Sequence, residues 1–259
     1  MKDNSALAAH INASMPGDFA VLAASAILLA LFALSPQLPG ERLPELAPLD
    51  PQVRKAAFID FLRPIAADVQ NEVRKEREYL FAMLERAAAG EPLPRLDRIK
   101  LFRLARRYEI PVDGIDGIES VSPTLRKRVD TVPASLVLVQ AAKESGWGTS
   151  RFAAEGNNLF GQRCYARGCG FAPAGLENPD FSVAKFPTVK HSIRSYVRNI
   201  NTHPEYREFR RLRQALRETG AVISGTALAD ALEAYSERGP VYVAEIKDMI
   251  AQNDLESYD

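Results

Sequence analysis

Residues 132–161, VPASLVLVQAAKESGWGTSRFAAEGNNLFG, decide how the rest of the chain is read. Pro133 suits the first turn of a helix, where its missing N–H leaves no bond unmade. Val137, Gln140, Ala141 and Glu144 then fall at i, i+3, i+4 and i+7 on one face, while Leu136, Leu138 and Val139 make the other faces apolar. That pattern predicts a helix buried nearly all round, ended by Gly146 and Gly148. The helix delivers one carboxylate, Glu144, to a glycine-rich turn. There the negative end of the helix dipole disfavours a charge, and Trp147, the only tryptophan of the chain, is positioned to help exclude water; both effects raise a carboxyl pKa. A carboxyl group kept protonated near neutral pH is what a general acid for glycosidic cleavage requires. The plainer reading of Glu144 is a helix-end charge with its head in solvent.

Downstream, Asn157, Asn158, Leu159, Phe160 and Gly161 make a polar-then-apolar turn with two readings. It can hydrogen-bond an acetamido group while the ring stacks on a sugar, or the asparagines can hold a left-handed turn that Leu159 and Phe160 anchor in the core. Residues 170–187 are turn-rich and weakly alternating, which predicts a small β-hairpin or extended lobe holding Glu177 and Asp180. Residues 188–201, 206–217, 226–236 and 241–253 read as helices, the arginines of the first two facing solvent or polymer.

Upstream, Asp130 or Thr131 is placed to cap the central helix. Residues 52–84 are helical in pattern, with a kink or division expected at Pro64, and the charge run Arg74 to Glu78 reads as a solvated face. The amphipathic segment around Ile99 and Phe102 completes a helical platform. Residues 36–51 carry five prolines and predict an extended tether. Before them, residues 19–35 are uncharged and rich in Leu, Ala, Ile and Val, which reads as a signal peptide or a membrane anchor.

The composition is that of an ordinary globular protein. With 33 basic and 33 acidic side chains the 259-residue chain has no net charge to steer it toward nucleic acid. Cys164 and Cys169 are the only cysteines. An exported protein would oxidise them to a disulfide, and with His10, His191 and His203 none at metal spacing, a zinc site is the weaker reading.

Taken together, ESGWG, NNLFG, CYARGCG, AKFPTVKHSIRSYVRNINTHPEYREFR and YSERGPVYVAEIKDMIAQNDL resemble, in the same order, the bacterial glucosaminidase family and within it the Bax-type members, over residues 52–256. The resemblance implies a mainly α (α+β), lysozyme-like catalytic domain at residues 121–259 with a small β-hairpin or irregular lobe. Ahead of it stand a helical region at 52–120, the Pro-rich linker at 36–51 and the export or anchor segment at 1–35. It also implies an endo-β-N-acetylglucosaminidase that hydrolyses β-1,4 bonds of peptidoglycan, exported to the periplasm, without metal or organic cofactor and without nucleic acid as partner. Glu144 is the expected general acid, and Tyr235 matches a cleft tyrosine that steadies the transition state or the acetamido group. Tyr242 matches a second one, and Trp147, Asn158 and Phe160 are expected to contact the sugar. Glu177, or next Asp180, is the expected second carboxylate. The rivals are a lytic transglycosylase on the same fold, and a scaffold protein that holds glycan without cutting it.

Overall fold

The structure, a computed structural model, describes residues 42–114, 117–173 and 179–259. Helix α1 (Pro51–Ala88) begins where the Asp50 side chain accepts a hydrogen bond from the Gln52 N–H at 2.9 Å, as an N-cap should. It runs unbroken for 38 residues, so the division expected at Pro64 does not occur. The proline ring forfeits one ladder bond, but Phe58 and Leu62 before it and Ala66 and Val69 after it are buried in the same core and keep the helix continuous across it. The helices α2 (Arg95–Arg107), α3 (Ser122–Arg128), α4 (Ala134–Ser145) and α5 (Arg151–Gly156) follow. Then come a lobe of three short strands, β1 (Arg163–Cys164), β2 (Gly170–Phe171) and β3 (Ser182–Ala184), and the helices α6 (Val189–Thr202), α7 (Arg207–Thr219), α8 (Gly225–Ala229) and α9 (Pro240–Gln252). Tight 3-10 turns at Pro204–Tyr206, Asp230–Tyr235 and Leu255–Tyr258 join or end them. The fold is mainly α and lysozyme-like.

Helix α4 is the axis of the main core. Its residues from Ser135 to Ala142 are all buried, as the apolar pattern predicts, and α1, α8, α9 and the last 3-10 turn pack around it. A second cluster gathers Leu80 and Leu84 of α1 with Leu101, Leu104 and Ala105 of α2, Tyr108, and Leu125 of α3. One long helix thus serves both cores, and the N-terminal helical region supplies a wall of the main one. Neither Asp130 nor Thr131 caps α4. The Ser135 N–H and hydroxyl instead donate to the two carboxylate oxygens of Asp259, at 2.8 and 2.7 Å.

Asp130 has a different place. Its buried carboxylate accepts from Arg217 at 2.6 and 2.7 Å and lies 3.4 Å from Arg77 and 3.5 Å from Arg213. Arg213 is fully buried and donates to the Thr131 and Lys127 carbonyls, and buried Arg210 donates to those of Ile200 and His203. The expectation that these arginines face solvent or polymer is corrected: guanidinium groups here satisfy chain ends that secondary structure leaves open. Arg77, expected on a solvated face, likewise turns inward to the Arg126 and Val129 carbonyls.

The sheet lobe has one strand more than a hairpin over 170–187 provides. β3 lies between β1 and β2, antiparallel to both, pairing Cys164 with Ser182 and Phe171 with Val183. Cys164 at the end of β1 forms a disulfide with Cys169, the residue before β2, with 6.2 Å between Cα atoms.

Residues 42–50 do not run as a free extended tether. Leu46 is buried in the main core, and Arg54 donates to the Leu46, Ala47 and Leu49 carbonyls. Among the described residues no helix is long and apolar enough to cross a membrane; the expected signal or anchor at 19–35 lies outside them.

Candidate active site

Helix α4 stops because Gly146 takes the left-handed conformation and the Trp147 N–H reaches back to the Ala142 carbonyl at 2.7 Å, closing the helix end as a Schellman-type cap does. Trp147 and Gly148 are left-handed too, with φ of 58° and 79°. Such a φ is an outlier for a bulky residue and is retained only where the surroundings over-determine it. Here they do: the Ser145 hydroxyl accepts from the Gly148 N–H at 2.8 Å, and the Trp147 ring meets Phe58 of α1 edge-on at 5.8 Å with Lys55 5.3 Å away. At Gly148 a Cβ would stand 2.8 Å from Leu46 and 2.9 Å from Leu43, so the strap at 42–50 closes directly onto the turn that follows Glu144.

Glu144 lies one residue before the end of α4, open to solvent on one side. The protein around its carboxyl group raises the pKa through desolvation, the largest effect on it; a hydrogen bond from Tyr242 at 3.1 Å and the charge of Lys143 oppose the rise. Lys143 is itself paired with Glu245 of α9, which Arg238 also holds at 2.9 Å, so that Glu245 is kept ionised with its pKa lowered to about 2.

Behind Glu144 stands a wall of phenols. Tyr242 of α9 stacks on Tyr235 with 5.6 Å between centroids and 14° between planes, and Tyr235 meets Tyr196 at 6.4 Å and Tyr206 at 6.1 Å. Burial and the nearby charge of Glu144 hold the hydroxyls of Tyr235 and Tyr242 protonated well above their ordinary range, and Tyr206 is pushed up to about 12. Buried Gln140, one helical turn before Glu144, donates to the Tyr242 oxygen at 3.0 Å and accepts from the Tyr196 hydroxyl.

Of the residues singled out in the sequence, Glu144, Tyr235 and Tyr242 therefore come together. Asn158 and Phe160 line the loop interior. Asn158 is 1 % exposed, its amide donating to the Gln162 and Ala184 carbonyls and accepting from the Phe160 and Gln162 N–H groups, so no polar atom is left for a sugar. Phe160 is buried and stacked on Tyr196 at 4.2 Å. This corrects the expectation of sugar contact in favour of the loop-anchoring reading. Asp180 is exposed just before β3 and is not among the groups acting on Glu144, and Glu177 lies outside the described residues.

Residues 124–255 match the family described as mannosyl-glycoprotein endo-beta-N-acetylglucosaminidase. The chain belongs to this glucosaminidase family. It is 35% identical over 189 residues to Protein bax of Escherichia coli (strain K12), an alignment that covers 73% of this chain and 66% of that protein. No solved structure matches the chain. The matched span starts in α3 and ends in the last 3-10 turn, so it contains Glu144, the sheet lobe and the whole phenol wall.

Sequence reasoning did not single out Tyr196 and Tyr206, and gave Gln140 only a place on the helix face. The signal for Gln140 was present: a lone amide among buried apolar positions, spaced i, i+4 from the carboxylate, must find partners inside.

Proposed function

We propose that this chain is an endo-β-N-acetylglucosaminidase that hydrolyses the β-1,4 bond after N-acetylglucosamine in peptidoglycan, with Glu144 as general acid, and that it works on the periplasmic side after export. The observation that carries the reading is the environment of Glu144: a carboxyl group at a helix end, open to a ligand on one side, backed by phenols and with its pKa raised by burial. Such a group can hold a proton at a pH where a free glutamate has lost it.

In the proposed reaction Glu144 gives that proton to the glycosidic oxygen as the C–O bond breaks and its electron pair leaves with the oxygen. Tyr235 faces the positive charge that develops at the anomeric carbon, and its hydroxyl steadies it or the acetamido group; Tyr242, expected to contact the sugar as well, is buried with its hydroxyl engaged by Gln140 and Glu144, and acts through Glu144 instead. Water completes the reaction. The family description names the activity class, and the order of the matching residues supports carrying it to this chain.

The test is digestion of purified peptidoglycan followed by mass analysis of the products. Fragments ending in a free reducing N-acetylglucosamine support the reading; anhydro-sugar ends assign a lytic transglycosylase, and an uncut polymer that still binds assigns a scaffold.

A further inference from the structure

The hydrogen bonds that end on Glu144 have a direction, and it is set at their buried end. Tyr196 is 1 % exposed, with ring neighbours on both sides, and among the described residues its hydroxyl has a single hydrogen-bond partner, Oε1 of Gln140. The phenol must donate there, because a buried O–H without an acceptor is costly. The amide is thereby oriented: its oxygen faces Tyr196 and its Nε2 donates to the Tyr242 oxygen at 3.0 Å. Having accepted that bond, Tyr242 directs its own proton to Oε1 of Glu144 at 3.1 Å. The opposite orientation of the amide strands the Tyr196 proton and draws the Tyr242 proton away from Glu144.

We infer that Gln140 is a positioning residue that fixes the polarity of this relay, so that Tyr242 always donates to Oε1 of Glu144 and the proton given to the substrate is carried on Oε2. The inference rests on Glu144 being the general acid. Without the relay, a protonated Glu144 can spend its proton on the Tyr242 oxygen and present a bare oxygen to the glycosidic bond. With it, the carboxylate left after proton transfer already accepts a hydrogen bond, and the reprotonated acid is restored on the same oxygen.

The charged and titratable groups around Glu144 leave this relay in control of the proton. Lys143, beside it on α4, acts through charge and is engaged by Glu245 of α9, which Arg238 also holds. Tyr242 of α9, Tyr196 of α6 and the phenols of Tyr206 and Tyr235 all remain protonated at neutral pH.

The experiment uses the full chain, with Gln140→Met, which keeps the length and removes the amide, and Tyr196→Phe, which keeps the stacked ring and removes a hydroxyl that does not touch Glu144. Rates on peptidoglycan fragments are measured across pH. Each variant is expected to lower kcat about threefold or more with KM within about twofold, and to move the alkaline limb of kcat/KM upward by about half a pH unit, since the ionised carboxylate has lost a dependable donor. Tyr242→Phe, which removes the donor itself, should move the limb in the same direction and at least as far. A wild-type limb in either variant overturns the relay, as does lost activity with an unmoved limb, which is the mark of a packing defect. If Gln140→Met does not fold, Tyr196→Phe decides alone. Failure of the general-acid reading is distinguishable, because Glu144→Gln then stays active. In that case an NMR titration of the Glu144 carboxyl carbon, compared between wild type and Tyr196→Phe, still tests the polarity: an upward shift supports it and an unchanged midpoint overturns it.

Discussion

Gly148→Ala places a methyl group where the chain has no room for one. The residue sits at φ 79°, and the new Cβ would be 2.8 Å from Leu46, 2.9 Å from Leu43 and 3.2 Å from Phe58. The left-handed backbone alone costs an L-residue about 1–2 kcal/mol, and overpacking a filled site costs about 1–3 kcal/mol. Leu43 is only partly buried and can turn aside, whereas Leu46 is 2 % exposed and cannot. The expected loss is therefore about 2–4 kcal/mol, large against a total stability of about 5–15 kcal/mol. Urea unfolding followed by the fluorescence of Trp147, the only tryptophan and the residue next to the substitution, measures it. Leu46→Ala separates the two contributions: removing the leucine opens space for the methyl group, so the double variant should be more stable than the sum of the single losses by about 1 kcal/mol. A Gly148→Ala protein within about 0.5 kcal/mol of wild type, or strictly additive losses, would refute the packing of the strap onto the turn that follows Glu144.

Asp130→Asn leaves fully buried Arg213 without its counter-charge and should cost about 3–5 kcal/mol in thermal or urea unfolding. Because the arginines around Asp130 hold its folded pKa below the ordinary value, its contribution is present above about pH 3.9 and disappears as pH falls through the depressed value. The acid limb of the stability curve should accordingly flatten in Asp130→Asn. Tyr235→Phe should lower turnover by about tenfold or more while stability stays within about 1 kcal/mol; unchanged kinetics would reduce Tyr235 to a packing residue. For the disulfide, thiol labelling of unreduced protein should find neither cysteine free, and replacing both with serine should cost about 2 kcal/mol or less, since they stand only five positions apart. The raised pKa of Glu144 predicts that kcat/KM falls with rising pH only above the ordinary glutamate value of about 4.3, a limb that pH-dependent rates will locate.

Local pattern carried α4 and its stop well, because apolar periodicity and glycine punctuation act over a few residues. It also placed most helices of the second half, where the observed α6, α7 and α9 begin or end within a residue or two of the expected positions. What it could not carry was set by distant partners. Pro64 breaks a helix in isolation, but here the core on both sides keeps the helix continuous across it. Arg213 looks like a surface charge until Asp130, 83 positions away in the chain, is brought beside it. The relay behind Glu144 joins residues 56, 102 and 98 positions apart, so Gln140 and Tyr196 read as an ordinary glutamine and an ordinary tyrosine. Asn158 had two physically sound local readings, and only the approach of β3, which brings the Ala184 carbonyl to its amide, decides between them.

The most direct measurement compares wild-type protein and Glu144→Gln on the same purified peptidoglycan, following new reducing ends with time. The amide keeps the shape and the contact with Tyr242 while losing the transferable proton, so Glu144→Gln should fold and bind the polymer as wild type does but cut it about a hundredfold to ten-thousandfold more slowly. A folded Glu144→Gln protein that keeps more than about half the wild-type rate, within the twofold range that leaves transition-state stabilisation nearly intact, would contradict the assignment of Glu144 as the general acid.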